Sequence, residues 1–252
     1  MTYPALHSFE VTLAEAKRIQ EDLRSRVVTV DLVPGIRDAR FIGGADVAFV
    51  TLGGEDAGPE GKPVHEGNPR FRMQTRFTHA LAGIVVFDRE RGVVTETACA
   101  LAPVTMPYIP GYLSFREGPA MLKALEELSR PPEVIIYDGC GIAHPRGLGL
   151  ASHLGVLTGI PSVGCAKNRL CGQCGVPGSA RGSWTDIVFE NAVVGSCVRT
   201  RTGVKPVFVS PGSGVGMESA RNLVLGLAVK YRLPEPTRLA HQLVSRNKKV
   251  FG

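Results

Sequence analysis

The sequence lacks the features that mark membrane-spanning and disulfide-stabilised proteins. None of its apolar runs approaches the roughly 18 to 20 residues that a bilayer-spanning helix requires. The N-terminal segment includes Glu10, Glu15, Glu21 and Asp22, whereas a signal peptide is apolar at its centre. Six cysteines in 252 residues are too few for a disulfide framework, so reduced thiols are expected. These absences predict a cytoplasmic protein without a membrane partner.

The sequence also contains no internal repeat and no low-complexity tract. Its hydrophobic content of 44% is sufficient for a substantial core. We predict a single domain spanning residues 1–252, and we expect a monomer. The formal net charge of +6 is the sign expected for a phosphate-rich partner, although many cytosolic enzymes share it.

The hydrophobic pattern predicts a mixed α/β fold. Thr12 and Glu15 form a capping-box pair that opens a helix to about residue 26. Runs rich in Val, Ile, Ala and Thr predict three strands near 40–52, 80–88 and 93–103, with a hairpin turn between the last two. Downstream, helices near 119–128, 147–158 and 215–231 alternate with strands near 134–137, 160–166, 192–199 and 206–210. Three antiparallel strands followed by alternating helices and strands describe a mixed sheet with flanking helices.

A polar stretch at about residues 53–78 interrupts this pattern. Its first half is rich in Gly and Pro, and its second half carries Arg70, Arg72 and Arg76. This composition predicts a long surface loop inserted into the domain rather than a separate domain.

Three acidic residues stand out because apolar, strand-like runs surround or precede them. Asp46 lies within such a run, where an unpaired carboxylate is energetically costly. Asp138 follows the strand at 134–137, and Glu117 lies just before or within the first turn of the helix predicted from Pro119. The alternatives are a turn former for Asp138 and a helix-start acid for Glu117. Because carboxylates hold the Mg²⁺ ions that hydrolyse phosphodiesters, we predict a metal site, although sequence spacing permits this convergence without establishing it.

A stiff aromatic and proline segment precedes Glu117. Tyr108, Ile109 and Pro110 form an apolar wedge that loses little entropy on entering a base stack, and such wedges open nucleic-acid duplexes. Nearby, Arg116 is predicted to bind a backbone phosphate. Lys167, at the end of a predicted strand, is predicted to stabilise charge on the reacting phosphate. A rigid loop packed on the core and a plain surface lysine are the alternatives.

The segment PYIPGYLSFRE at 107–117 resembles the signature of the endonuclease V family, repair nucleases that act on deaminated adenine. The resemblance continues in the family's order through residues 44–47, 138–147, 166–172 and 233–238. It implies a ribonuclease H-like fold, dependence on Mg²⁺ with Mn²⁺ able to substitute, and cleavage of the second phosphodiester bond 3′ to deoxyinosine. The products would carry 3′-hydroxyl and 5′-phosphate groups.

The resemblance also implies roles for individual residues. The expected metal ligands and catalytic carboxylates are Asp46, Glu117 and Asp138, and Lys167 is the remaining expected catalytic residue. The residues expected to contact nucleic acid are Tyr108, Ile109, Pro110, Gly111, Leu113, Arg116, Gly139 and His144. The expected partner is DNA containing deoxyinosine. Inosine-containing RNA is the alternative, because contacts to a 2′-hydroxyl are invisible in a sequence.

One position departs from the family's pattern. After Gly212 the resemblance implies a histidine that contributes to the metal site, and this chain has Ser213. Because serine is a poorer ligand, we expect activity to survive with a preference for Mn²⁺ or high Mg²⁺, and Glu218 is a candidate substitute. An inosine-binding protein with attenuated cleavage is therefore a further alternative.

Overall fold

The computed structural model describes residues 2–52 and 77–251, so the loop predicted at about 53–78 lies almost entirely outside the described residues. The helices of the described chain are α1 (Leu13–Arg24), α2 (Leu113–Glu126), α3 (Leu150–Thr158), α4 (Met217–Leu227) and α5 (Glu235–Phe251). The strands are β1 (Phe41–Val50), β2 (His79–Asp88), β3 (Val93–Pro103), β4 (Val134–Tyr137), β5 (Ser162–Ala166), β6 (Trp184–Phe189), β7 (Ala192–Val198) and β8 (Val207–Pro211). Among these described elements, none of the helices combines the length and apolar character needed to cross a membrane.

All the described strands join one sheet in the order β3-β2-β1-β4-β5-β8-β7-β6. The first three strands form the predicted antiparallel group, and β4 and β5 continue the sheet parallel to β1. The remaining strands β8, β7 and β6 are antiparallel to their neighbours. The predicted mixed α/β class with flanking helices is therefore confirmed.

The sheet is buried on both faces, which the short β4 shows most clearly. Ile135 and Tyr137 face a core that is completed by α2 and α3. Val134 and Ile136 face a second core that is completed by α4. A strand that contacts apolar cores on alternate sides has no polar positions, which explains why the sequence of β4 is wholly apolar.

Helix α5 packs directly on β1 and β2 because glycines leave room for its backbone. A Cβ atom on Gly44 would lie 2.1 Å from the backbone carbon of Pro236, and one on Gly83 would lie 2.5 Å from Val244 Cγ1. Any larger side chain at these positions would push the helix away from the sheet. The two glycines thus bring α5 against the strand that carries Asp46.

Several predicted boundaries were wrong. Helix α2 begins at Leu113 and contains Pro119 in its interior, so Glu117 lies in its second turn rather than before it. Proline removes one helical hydrogen bond, to Phe115, and the burial of Phe115 and Met121 compensates for that loss. Helix α3 begins at Leu150 rather than near residue 147, because Gly147 has a left-handed φ of 67°.

Candidate active site

The register of β1 and β4 places two of the predicted acids side by side. The parallel pairing ends with Ala45 beside Tyr137, and the next residues are Asp46 and Asp138. The N–H of Asp138 continues the pairing by donating to the carbonyl of Ala45 at 3.4 Å. Adjacent strands are about 4.8 Å apart, so the two acids are neighbours. Asp46 lies within β1, opposite Gly83, and not at the strand end.

Helix α2 adds the third carboxylate. Glu117 is 9% exposed and Asp46 is 8% exposed. Burial raises the pKa of Glu117 well above its ordinary value, and the charges of Asp46 and Asp138 raise it further. Burial also raises the pKa of Asp46, followed by the charge of Asp138. The structure therefore brings the three predicted acids into one electrostatically coupled group.

Lys167 supplies positive charge to this group. It follows β5, which neighbours β4 in the sheet, and its ammonium donates to Asp138 Oδ2. Partial burial is the largest single influence on Lys167 and lowers its pKa, but the hydrogen bond to Asp138 and the negative charges of Asp138 and Asp46 together raise the net pKa. The backbone carbonyl of Lys167 accepts a hydrogen bond from Arg232 Nη2 at 2.9 Å, which fixes the start of the following loop.

His241 on α5 also belongs to the site, and the sequence reasoning missed it. Its Nδ1 donates to Asp46 Oδ2 at 2.7 Å, and the side chain is 59% exposed. Helix α5 was not among the predicted elements, although Leu239, Ala240, Leu243 and Val244 repeat at helical spacing after Pro236. This apolar stripe is the sequence pattern from which α5 could have been predicted.

The three acids and His241 are the residues of this site that could hold a metal ion. Within residues 2–52 and 77–251, no three Asp, Glu, His or Cys side chains lie close enough together to hold one ion in this arrangement. The donor set nevertheless fits a hard divalent cation, because it consists of buried carboxylates whose charges repel one another. Lys167 and His241 occupy one oxygen each of Asp138 and Asp46, so ligation by these oxygens requires the two partners to move.

A cavity of about 300 Å³ adjoins Asp138. Its lining includes seven of the residues predicted to contact nucleic acid, together with the Asp138 and Lys167 pair. The seven are Tyr108, Ile109, Pro110, Gly111, Leu113, Gly139 and His144. Tyr108 is 59% exposed, so its ring is accessible to a stacking partner. One concave surface therefore joins the predicted wedge to the charged pair.

Two predicted contact residues have buried side chains. Arg116 is 3% exposed, its Nη1 donates to the carbonyl of Met106 at 3.0 Å, and its guanidinium lies 4.3 Å from the centre of the Phe49 ring. This position is inside the protein rather than on a surface that a backbone phosphate reaches. His144 is also buried, and burial lowers its pKa to about 4. Its neutral ring lines the cavity and donates from Nε2 to the carbonyl of Gly111 at 2.9 Å.

Ser213 lies away from the acids, contrary to the expectation that this position belongs to the metal site. Its N–H donates to Ser162 Oγ at 2.9 Å, and its hydroxyl accepts a hydrogen bond from Val28 N–H at 3.2 Å. Ser162 begins β5 and Lys167 follows the strand's end, a separation of roughly 16 Å along the strand direction. Glu218 is exposed on α4, the helix that begins shortly after Ser213, and so it also lies away from the Lys167 end of β5. The histidine beside the carboxylates is His241 on α5.

Comparison with known proteins agrees with this architecture. The sequence profile of the Endonuclease V family matches residues 70–242. Endonuclease V of Trichormus variabilis is 40% identical over 239 residues, which cover 95% of this chain and 96% of the relative. The match with relatives thus extends to β1 and Asp46, which precede the segment matched by the profile.

Solved structures show the same fold. The crystal structure of Endonuclease V from Streptomyces avermitilis has a TM-score of 0.80 and 38% identity, and the match covers 99% of both chains. Endonuclease V of Ciona intestinalis, solved with a 24mer DNA containing an inosine followed by a ribo-adenosine, has a TM-score of 0.76 and 26% identity, over 95% of this chain and 99% of the other. The ribonuclease H-like mixed sheet is confirmed, and the chain belongs to the Endonuclease V family of nucleases.

Proposed function

We propose that this chain is an endonuclease that nicks DNA beside deoxyinosine. It hydrolyses the second phosphodiester bond on the 3′ side of the lesion and leaves 3′-hydroxyl and 5′-phosphate ends. The observation that carries the proposal is the cavity lined both by the wedge residues and by the Asp138 and Lys167 pair. The inosine-containing DNA bound by the Ciona relative supports the same substrate class.

Different residues around the cavity serve recognition of the base and hydrolysis of the phosphodiester. Tyr108, Ile109 and Pro110 stack against or separate bases, and hypoxanthine is distinguished by its carbonyl and ring N–H through buried hydrogen-bonding groups. Lys167 offsets negative charge on the phosphate under attack. Asp46 and Asp138, with Glu117, would hold Mg²⁺ or Mn²⁺, which when bound would supply charge neutralisation and water activation.

The test separates binding from cleavage. Asp46→Asn and Asp138→Asn are expected to abolish nicking of an inosine-containing duplex, because each removes a carboxylate charge, while binding of that duplex is retained. Nicking is measured in single turnover with excess protein, and binding is measured by fluorescence anisotropy in EDTA. Asp186→Asn, at an exposed position on the distant edge strand β6, is the matched control. Nicking at the wild-type rate by either site variant would remove the central assignment.

An inosine-specific ribonuclease is the second candidate. It is favoured by the Ciona complex, in which the nucleotide that follows the inosine is a ribo-adenosine. Matched DNA and RNA strands that contain one inosine at the same position decide between the two, since a ribonuclease requires the 2′-hydroxyl and a deoxyribonuclease does not. Faster cleavage of the RNA strand would replace the DNA assignment.

The third alternative, an inosine-binding protein with attenuated cleavage, depended on Ser213. Because Ser213 is hydrogen bonded at the opposite end of β5 from Lys167, its identity gives no reason to expect a weakened metal site. The same argument removes the reason to expect a preference for Mn²⁺ or high Mg²⁺.

A further inference from the structure

The carbonyl of Gly111, the residue directly after the wedge, accepts hydrogen bonds from three side chains. Gln20 Nε2 donates at 2.9 Å, His144 Nε2 at 2.9 Å and Arg146 Nη2 at 2.7 Å. A carbonyl oxygen has two lone pairs, so three donors on one oxygen are an unusual concentration. Gly111 and Gln20 both line the cavity.

Gln20 organises this group of donors. It is 1% exposed, and its Oε1 accepts a hydrogen bond from Arg146 Nε at 2.6 Å. Its Nε2 also donates to the carbonyl of Leu148 at 3.2 Å. One amide therefore links the wedge to the segment that carries His144 and Arg146. Gln20 lies outside the residues 70–242 that the family profile matches.

Both the helix that carries Gln20 and the backbone that it binds are held in place. On α1, the Thr12 and Glu15 capping box begins the helix, and Ala16 is fully buried in a cluster with Phe115. Directly after the wedge, Gly111 has a φ of +86°, and a Cβ atom there would lie 3.0 Å from Arg146 Nη2. The wedge backbone is therefore held against Arg146 at a position that favours glycine.

We propose that Gln20 is a positioning residue for lesion recognition. By holding the Gly111 carbonyl and the Arg146 guanidinium, it fixes the wedge in the shape that admits an inosine base into the cavity. This inference rests on the proposed function and extends it to a residue of α1. Gln20 does not contact the acids of the site in this arrangement, so it acts on recognition and leaves the chemical step unchanged.

The experiment compares Gln20→Met with Glu21→Met, a control at the next position of α1 whose side chain is exposed and pairs with Lys17. Methionine preserves the size of Gln20 and removes its donors and its acceptor. We expect Kd and KM for inosine-containing DNA to rise about tenfold, the cost of leaving buried polar partners unsatisfied. Single-turnover kcat at saturation and Kd for the undamaged duplex should stay within about twofold of wild type. The Glu21→Met control should match wild type in all four quantities.

Gln20→Glu supplies an independent variant, because it keeps the acceptor for Arg146 Nε but places a carboxylate oxygen against the Gly111 and Leu148 carbonyls. The same selective loss of inosine binding is expected. Equal losses on inosine-containing and undamaged DNA, a fall in kcat without a rise in KM, or wild-type behaviour of both variants would overturn the positioning role. Failure of the wild-type protein to cleave inosine-containing DNA would instead overturn the proposed function, so the two failures are distinguishable.

Discussion

At the scale of single residues, the site concentrates negative charge where water is scarce. Asp46 and Glu117 are each less than a tenth exposed, and the charge of Asp138 raises the pKa of both. Buried carboxylates that repel one another destabilise a fold unless a cation compensates them. Lys167, Arg116 and His241 compensate only in part, because the pKa values of Asp46 and Glu117 stay raised in their presence. A contribution to folding stability therefore does not explain why these three carboxylates lie together.

This argument predicts that removing a charge stabilises the metal-free protein. Glu117→Gln keeps the shape of the side chain and removes its charge, so we expect the free energy of unfolding to rise by about 1–2 kcal/mol. Nicking should be lost in the same variant. Urea denaturation in EDTA measures the stability, and Glu21→Gln, on the exposed side of α1, should change it by less than about 0.5 kcal/mol. A destabilised Glu117→Gln protein would show that the carboxylate has a structural role.

The individual site residues differed in how far sequence could predict them. Asp46 and Asp138 stand out because a carboxylate within or after an apolar strand is chemically conspicuous. Their adjacency depends on the β1 and β4 register, which sequence spacing does not specify. The charge of Arg116 predicts a phosphate contact, yet its guanidinium is buried, hydrogen bonded to the Met106 carbonyl and placed over the Phe49 ring.

At the scale of elements, the glycines under α5 determine whether His241 reaches the site. The 2.1 Å distance from a Cβ on Gly44 to the Pro236 backbone cannot be relieved by a rotamer change. We therefore expect Gly44→Ala to move α5 and to lower the free energy of unfolding by about 3 kcal/mol. Nicking should fall with it, because His241 separates from Asp46. Chemical denaturation measures the first effect and single-turnover nicking the second.

Gly175→Ala is the control for this prediction. Its Cβ would lie 3.6 Å from Thr185 Cγ2, which is an ordinary van der Waals contact. A stability change within about 0.5 kcal/mol is expected there. Equal effects of the two alanines would mean that glycine's backbone flexibility, rather than the close approach of α5, accounts for the loss.

The elements that sequence failed to predict share a physical cause. In β6, exposed residues alternate with less exposed ones around a single fully buried position, Ile187, so its hydrophobic pattern is weak. Helix α5 has many charged residues, and its apolar stripe is recognisable mainly when its docking on Gly44 and Gly83 is known. The long strands β2 and β3 were predicted almost to the residue, because runs of strand-favouring residues on both sides of a short turn suffice to predict a hairpin.

At the scale of the whole molecule, a chain of hydrogen bonds ties the N-terminal segment to two helices. His7 Nδ1 donates to the carbonyl of Ser8 at 2.7 Å, so its Nε2 accepts from His153 Nε2, also at 2.7 Å. His153 Nδ1 in turn accepts from the hydroxyl of Ser114 at 2.8 Å, at the start of α2. Each ring nitrogen of His7 and His153 therefore donates or accepts one hydrogen bond, and this pattern requires both histidines to be neutral.

Acid should therefore weaken the fold through these histidines. Burial lowers the pKa of His153 to about 3, and burial lowers the pKa of His144 to about 4. Histidines in the unfolded chain titrate near ~6.5, so between that pH and about 4 the unfolded state binds more protons than the folded state. Stability is fully present above pH ~6.5 and declines as the pH falls, by about 1.4 kcal/mol per pH unit for each histidine.

The measurement that checks this is the urea unfolding free energy at intervals from pH 7.5 to pH 4.5, for the wild type and for His153→Gln. The variant loses one buried imidazole but retains an amide that can hydrogen bond to Ser114 or His7. Its stability should fall with pH less steeply than that of the wild type, by about 1.4 kcal/mol per pH unit. Identical slopes would mean that the acid sensitivity of the molecule arises elsewhere. Identical stabilities at pH 7.5 together with a shallower slope would isolate protonation of His153 as the cause.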